Sequence, residues 1–211
     1  PDKPSGVGFI EASKRGITSL IETFKHVTQQ ANIARFLIAR MIYTDGLNTL
    51  FAFGGIYAAG SFGFSFEDLI LFGIGINVTA GLGAASFAWI DDWIGPKLTI
   101  LISVTALIFL SSALLLIDNV FLFWVFGLGL GIFVGPAQSA SRSMMARLAP
   151  PEMRTEMFGL FALSGKATTF LGPALLAIIT DAFASQRAGM ASIVVFFIIG
   201  ALLLLRVNDK D

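Results

Sequence analysis

Asp45 and Lys166 are two ionisable residues that stand inside long apolar runs of the sequence. Asp45 lies ten residues beyond Arg35, and Lys166 lies ten residues beyond Glu156, which predicts a similar depth of about 15 Å along each helix. A charge at this depth of a membrane costs at least about 2.5 to 3.5 kcal/mol, which a partner or a water-filled cavity must offset. The two could form an ion pair that only fixes one helix against another. We favour a role in a solute path or in proton uptake, the usual roles of intramembrane charges.

Other polar side chains stand in the same apolar runs and complete the predicted substrate or proton path. They are Asn48, Asn77, Thr79, Gln138 and Thr168. A threonine in such a run more often bonds back to its own helix than to a solute. Arg40 is nearer the predicted interface and is expected to snorkel toward the headgroups.

Composition identifies the class of protein that must position these residues. Hydrophobic residues make up 55% of the 211 residues, charged residues only 13%, and the mean hydropathy is +0.81. The charges lie mostly between apolar runs, which predicts an all-α, integral membrane protein covered by lipid. No cysteine is present, so neither a disulfide framework nor a thiolate metal site is expected. The chain begins at Pro1 with polar residues, and we read it as a fragment without a signal peptide.

Six apolar runs have about the 20 residues that a hydrocarbon core of about 30 Å requires. Their approximate cores are Leu37 to Ala59, Leu69 to Ile90, Leu98 to Ile117, Phe121 to Ala140, Phe158 to Ala182 and Ala188 to Leu205. Of the 14 Lys and Arg residues, all but Lys166 and Arg187 clearly fall on one side when the chain is threaded through these spans, which predicts cytoplasmic termini. Residues 35–207 would form the membrane domain and 208–211 a cytoplasmic tail. Residues 1–34 would form a linker with an amphipathic helix from about Phe9, for which a solvated linker helix is an equal alternative.

Polarity also divides the six runs. The third and sixth carry no amide or ionisable side chain in their cores and are expected to face lipid, whereas the other four must face protein or water. The second and fifth runs share residue types at a constant offset of 89, as in Thr79 with Thr168 and Gly83 with Gly172. Because these runs cross in opposite directions, the likeness predicts two three-helix units of inverted topology, although Gly- and Phe-rich segments can match by chance.

Glycine and proline predict the packing of the fourth and fifth runs. Gly127, Gly131 and Gly135 recur every four residues, so one face of the fourth helix should admit a neighbouring backbone closely. Pro136 and Pro173 are each expected to kink their helix, as a gating hinge or as fixed shape.

A cytoplasmic-loop motif and three longer runs of sequence carry a resemblance to known transporters. In the segment 88–97, Asp92, Gly95 and Lys97 match the loop signature of the major facilitator superfamily, while Ala88, Trp93 and Pro96 depart from it. The runs ARMIYTDGLNTLF at 39–51, GPAQSASRS at 135–143 and FGLFALSGKAT at 158–168 are more specific. From Arg35 to Val207 the chain resembles the carboxy-terminal half of the autophagy-related vacuolar amino-acid effluxers and their bacterial relatives.

The resemblance implies six helices in a 3+3 inverted-repeat bundle, half of a twelve-helix fold that moves a small solute, with amino acids first, by alternating access. The partner would be the missing amino-terminal half, the membrane would be a bacterial inner membrane, and no cofactor, metal or nucleic acid would be needed. The implied cytoplasmic gating loop comprises Asp91, Asp92, Gly95, Lys97 and Arg142. Asp92 would cap a helix of the absent half or pair with Arg142.

The alternatives to a transporter are an intramembrane enzyme and a self-associating module. An intramembrane enzyme is not expected, because the single histidine, His26, lies outside the spans and no metalloprotease or Ser–His motif is present. The stronger alternative is a six-helix channel or scaffold module that works by association with a second copy.

Overall fold

A computed structural model describes residues 30–208, which contain seven α-helices, one 3₁₀ turn and no strand. The helices are α1 (Ala31–Phe62), α2 (Phe66–Ile94), α3 (Pro96–Leu116), α4 (Val120–Leu148), α5 (Arg154–Ser164), α6 (Leu171–Phe183) and α7 (Gln186–Leu205), with the 3₁₀ turn at Pro151–Met153 before α5. The amphipathic helix predicted from Phe9 falls mostly outside the described residues, as do residues 209–211 of the predicted tail.

Four of the described helices, α2, α3, α4 and α7, are long and apolar enough to cross a membrane. The chain is therefore an integral membrane protein with an all-helical fold. α1 has 32 residues, more than enough to span, but it carries Arg40 and Asp45 and is not among the four. The fifth predicted span is divided between α5 and α6, each too short to cross alone.

Local side-chain chemistry fixes where the helices begin. Ser65 and Asp68 form a capping box at the start of α2, and Asn119 accepts a hydrogen bond from the backbone of Leu122 at the start of α4. Between α2 and α3 there is a single residue, Gly95, whose φ of 84° lies in the region that favours glycine. Pro96 follows at the first position of α3, where its missing N–H has no helical partner to lose. These short connections make consecutive long helices antiparallel.

The glycines of α4 face α2, as the four-residue spacing predicts. A Cβ at Gly131 would overlap the Thr79 hydroxyl, and one at Gly135 would overlap a carbonyl oxygen of α2. The contact is reciprocal, because a Cβ at Gly83 of α2 would overlap the carbonyl oxygen of Ile132 in α4. The prediction of close backbone packing is confirmed, and α2 is the helix that packs there.

α7 packs along α1 and also contacts α3 and α6. Gly46 of α1 meets the ring of Phe197, while Gly200 of α7 meets Tyr43. At one end of this pair, Asn32 and Asn208 exchange two hydrogen bonds of 3.0 and 2.7 Å. The two ends of the described chain therefore meet on one side of the domain.

Arg187, the basic exception among the loops, lies at the start of α7 and forms an ion pair with Asp118 in the α3–α4 connection. Its guanidinium also donates to the carbonyl oxygen of Ile117 at 3.0 Å. The two segments it joins are ones that the sequence places on the same side of the membrane. Arg187 therefore has a local counter-charge where it breaks the positive-inside pattern.

Exposure is uneven among the helices of the described domain. α2 buries only Phe72 and Gly83, and α6 buries only Gly172 and Leu176. In contrast α3 buries eight residues and α7 seven. α1 and α4, which were also expected to face protein or water, bury eleven residues each, so burial within residues 30–208 does not separate those helices from α3 and α7; only α2 and α6 are left open.

The fifth predicted span, Phe158 to Ala182, is not one continuous helix. α5 ends at Ser164, α6 begins at Leu171, and turns connect them. In this connection the N–H of Lys166 bonds the oxygen of Leu163 at 2.9 Å, and the N–H of Leu171 bonds that of Thr168 at 2.8 Å. Both bonds join residues three apart, as in a 3₁₀ turn, rather than four apart as in an α-helix. Pro173, in the first turn of α6, removes a donor and crowds the carbonyl of Thr169. α4, in contrast, continues through Pro136.

Candidate functional site

Asp45 binds the start of α6 from the neighbouring helix α1. Its carboxylate Oδ2 accepts the backbone N–H of Gly172, the second residue of α6, at 2.9 Å. The first N–H groups of a helix have no partner within the helix and carry positive partial charge, so an acid is well placed there. The close approach favours glycine at 172, because a Cβ there would overlap the Thr49 hydroxyl. Asp45 is only 2% exposed, and its other oxygen, Oδ1, is buried without a hydrogen-bond partner.

Arg40 binds the end of α5 from the same helix. One guanidinium nitrogen donates to the carbonyl oxygen of Phe161 at 2.6 Å and to the hydroxyl of Ser164 at 2.9 Å. The guanidinium carbon also lies 3.5 Å from the centroid of the Phe161 ring. The expectation that Arg40 snorkels is therefore wrong. The helix ends at Ser164 and leaves carbonyl groups that a cation satisfies better than distant headgroups would.

Together, Arg40 and Asp45 hold both sides of the break in the fifth predicted span, and we call this pair of contacts the α1 clamp. The base lies at the carboxyl end of α5 and the acid at the amino end of α6, so each charge has the sign that its helix end favours. Discontinuous helices commonly form the solute and ion sites of secondary transporters. The clamp places the strongest charges of α1 at such a discontinuity.

Lys166 lies in the break and is exposed, and its side chain makes no hydrogen bond or ion pair within the described structure. The hypothesised ion pair with Asp45 is not formed; within residues 30–208 the one ion pair is that of Arg187 with Asp118. Asp45 is instead engaged by the start of α6, and the guanidinium of Arg40 occupies the space beside Gly165, 2.9 Å from where a Cβ would be. Lys166 is therefore an exposed cation without a counter-charge among the described residues.

Of the other predicted path residues, only Thr168 lies in the break. Asn77 is exposed and donates to the oxygen of Gly73 at 2.8 Å, and Thr79 bonds the oxygen of Ile76 at 3.0 Å, each within its own helix. Asn48 and Gln138 are exposed, and Thr168 is half-buried. Across residues 30–208, no hydrogen bond joins any two members of the predicted path. The structure therefore places Lys166 and Thr168 in the break and Asp45 beside it.

Four residues of the predicted gating loop, Asp91, Asp92, Gly95 and Lys97, lie at the tight corner between α2 and α3, whereas the fifth, Arg142, lies in α4. The N–H of Gly95 bonds the oxygen of Asp91 at 2.9 Å, and Lys97 Nζ donates to the oxygen of Leu205 at 3.3 Å, which ties the corner to the end of α7. Asp92 and Arg142 are both exposed. The pairing of these two that the resemblance implies is not formed in this part of the protein.

One polar contact between α1 and α4 was missed by the sequence analysis. The hydroxyls of Tyr43 and Ser141 lie 2.6 Å apart in a buried position, and Ser141 also donates to the carbonyl oxygen of Ala137. Both residues fall in the runs that carry the resemblance, which was the one available signal. This contact joins α1 to α4.

Two cavities open elsewhere in the described domain. One of about 220 Å³ lies among α1, α2, α3, α4 and α7, is mostly apolar, and includes Asn77 of α2 and Ser111 of α3 in its lining. The other, of about 490 Å³, lies between α1, α6 and α7 near Thr180. Residues 30–208 contain no group of three or more histidine or carboxylate side chains that could hold a metal ion.

Comparison with known proteins gives one family. The model of the family described as "Vacuole effluxer Atg22 like" matches residues 3–211. The chain is 22% identical to the uncharacterized MFS-type transporter YxiO of Bacillus subtilis over 189 residues, which are 90% of this chain and 44% of that protein. It is 27% identical to autophagy-related protein 22 of Candida glabrata over 82% of this chain and 34% of that protein, and equally to that of Saccharomyces cerevisiae over 79% and 34%. The chain thus spans less than half the length of the relatives it matches.

Proposed function

The chain belongs to the Atg22-like family of vacuole effluxers, and from this premise we propose that it is one half of a secondary active transporter of the major facilitator type. It would move a small solute by alternating access, with amino acids as the first solutes to test. It would catalyse no chemical reaction. Its membrane would be a bacterial inner membrane, with both termini in the cytoplasm.

The half would consist of six spans in two inverted three-helix units, with α5 and α6 together forming the fifth span. Two observations support this arrangement. α1 packs on α7 as α4 packs on α3, which is the pairing that an inverted repeat requires. Moreover Gly83 packs closely against α4 and Gly172 against α1, at the offset of 89 residues seen in the sequence.

The observation that carries the proposal is the open surface of α2. This helix spans 29 residues and buries only Phe72 and Gly83, although it carries Asn77 near its middle. An exposed amide at that depth is unfavourable in lipid, so another protein surface or water should cover it. The matched relatives are more than twice as long as this chain, which leaves room for a second six-helix half. A second copy of this chain would be the alternative cover, in a self-associating channel or scaffold.

Flux through the reconstituted full-length transporter tests the proposal. We expect uptake of labelled amino acids into liposomes, and we expect Lys166→Met to lower it at least about tenfold, because the variant removes the uncompensated cation from the break. Lys166→Arg, which keeps the charge, should retain most of the flux. Arg147→Met, which removes an exposed cation in the last turn of α4, is the control for a general loss of positive charge.

The same assay distinguishes the two protein surfaces that could cover α2, a second six-helix half and a second copy of this chain. If the 211-residue chain alone crosslinks as a dimer and transports, the self-associating alternative is correct. Flux that appears only when the remainder of the full-length protein is supplied supports the split transporter. Wild-type flux in Lys166→Met would remove this residue from the mechanism.

A further inference from the structure

The Asp45 carboxylate is only half satisfied. Oδ2 accepts the N–H of Gly172, whereas Oδ1 is buried and has no partner. Buried polar atoms in folded proteins are nearly always bonded, so an orphaned one calls for an explanation. A negative oxygen held away from water is costly, and a proton on Oδ1 would remove the charge without moving any atom of the protein.

No cation neutralises Asp45 in the described structure. On α1 itself the neighbouring ionisable groups are Arg40, which is engaged with α5, and Tyr43, which is engaged with Ser141. Charged groups on the elements packed against α1 are Glu67, Asp68, Asp91 and Asp92 at the ends of α2, Arg142 and Arg147 on α4, Arg154 and Glu156 on α5, Lys166 in the break, Asp181 on α6, and Arg187 and Arg206 at the ends of α7. None of these lies within ion-pair distance of Asp45. The ionised form is therefore held by the start of α6 alone.

The two contacts of the α1 clamp respond differently to protonation. Arg40 keeps its charge at every accessible pH, so its bonds to α5 persist. The bond from Gly172 to Asp45 is charge-assisted only while the carboxylate is ionised, and such bonds are roughly twice as strong as neutral ones. Protonation would also remove the attraction between the acid and the helix dipole.

α6 is the element best able to respond. It buries only Gly172 and Leu176 and has few contacts with α1, while its close packing is against α7, where a Cβ at Gly189 would overlap the Thr180 hydroxyl. The turns before it provide a flexible connection to α5, and Lys166 lies within them. A displacement of α6 would therefore alter the surroundings of Lys166 while α5 stays attached to α1.

We propose that Asp45 is the proton-binding residue of the transporter and that its protonation releases α6 from α1, with the break at residues 165–170 as the hinge. The proton adds to Oδ1, and no other covalent bond forms or breaks. Proton binding and the swing of α6 are thereby one event, which couples a proton to a conformational change. This inference rests on the proposed transport function.

Spin-label distances in the full-length transporter in lipid nanodiscs test the proposal. The chain contains no cysteine, so after replacement of any in the remainder of the protein, labels at Ile38→Cys on α1 and Ile178→Cys on α6 report the helix separation. Between about pH 8 and about pH 5 we expect the population with separated helices to at least double, because this range extends toward the titration of carboxyl groups. Asp45→Asn, which cannot ionise, should show the separated population at both values. Asp181→Asn, an exposed acid of the same region, should respond as the wild type does.

Distances that do not change with pH in the wild type, or an Asp45→Asn variant that still responds fully, would overturn the proposal. If Asp45→Asn does not fold, Asp45→Glu serves instead: it should keep the response with a shifted midpoint, and an unchanged midpoint would count against Asp45. Solute flux measured on the same protein separates the two claims. Flux without a distance change would leave the transport function and remove the switch, whereas a distance change without flux would keep the switch and remove the transport function.

Discussion

Replacing Gly83 with alanine is expected to destabilise the folded domain by about 1 to 3 kcal/mol, the range for overpacking a close contact. The added Cβ would overlap the carbonyl oxygen of Ile132, a backbone atom that cannot rotate away as a side chain would. α2 and α4 would have to separate along the stripe where their backbones approach. Thermal or denaturant unfolding of the purified protein in detergent measures the change.

Gly73→Ala is the matched control in the same helix. A Cβ at Gly73 meets nothing within 4 Å, so no neighbour has to move. Alanine favours helix over glycine by up to about 1 kcal/mol, and the control should be neutral or slightly stabilising. Equal effects of the two substitutions would show that α2 and α4 are not in close contact at Gly83.

Arg40→Met is expected to cost about 1.5 to 3 kcal/mol, the range for hydrogen bonds to charged groups. The variant keeps much of the side-chain length but loses the bonds to the Phe161 oxygen and the Ser164 hydroxyl, together with the contact to the Phe161 ring. The end of α5 should then fray, which would appear as faster amide hydrogen exchange over residues 157–165.

Arg35→Met provides the comparison, since Arg35 is an exposed cation on α1 with no bond in the described structure. Its removal should change stability by no more than about 0.5 kcal/mol. Arg40 would have no role in holding α5 if hydrogen exchange over 157–165 were the same in both variants.

The sequence was sufficient to locate the charges of the clamp but not their partners. Asp45 and Arg40 are recognisable because they interrupt an apolar run, and an opposite charge at equal depth, Lys166, was the natural partner to infer. The actual partners are a backbone N–H and a backbone carbonyl, which every residue possesses and no sequence pattern marks. The Gly172 N–H and the Phe161 carbonyl can bond these side chains because they lie at helix ends, beside the break in the fifth span.

The break itself shows what the sequence could and could not predict. Pro173 signals an irregularity, but a proline near a helix start is also compatible with a new helix, and Pro136 leaves α4 uninterrupted. Tertiary contacts from α1 decide between these outcomes. The glycine stripe of α4, in contrast, could be predicted because close packing needs small residues at a regular spacing, and Gly127, Gly131 and Gly135 have it.

Lipid exposure of α2 relative to α3 in the full-length protein tests most directly whether this domain is one half of a transporter. Spin labels at Gly81→Cys, one turn from Asn77 on an exposed side of α2, and at Phe109→Cys, exposed on α3, can be compared by their collisions with oxygen and with a water-soluble nickel chelate. Oxygen concentrates in the hydrocarbon, so we predict frequent oxygen collisions at position 109 and few at position 81, where the other half or water should cover the helix. Oxygen collisions at position 81 as frequent as those at 109, with no access for the nickel chelate, would place α2 in lipid and contradict the proposed two-half transporter.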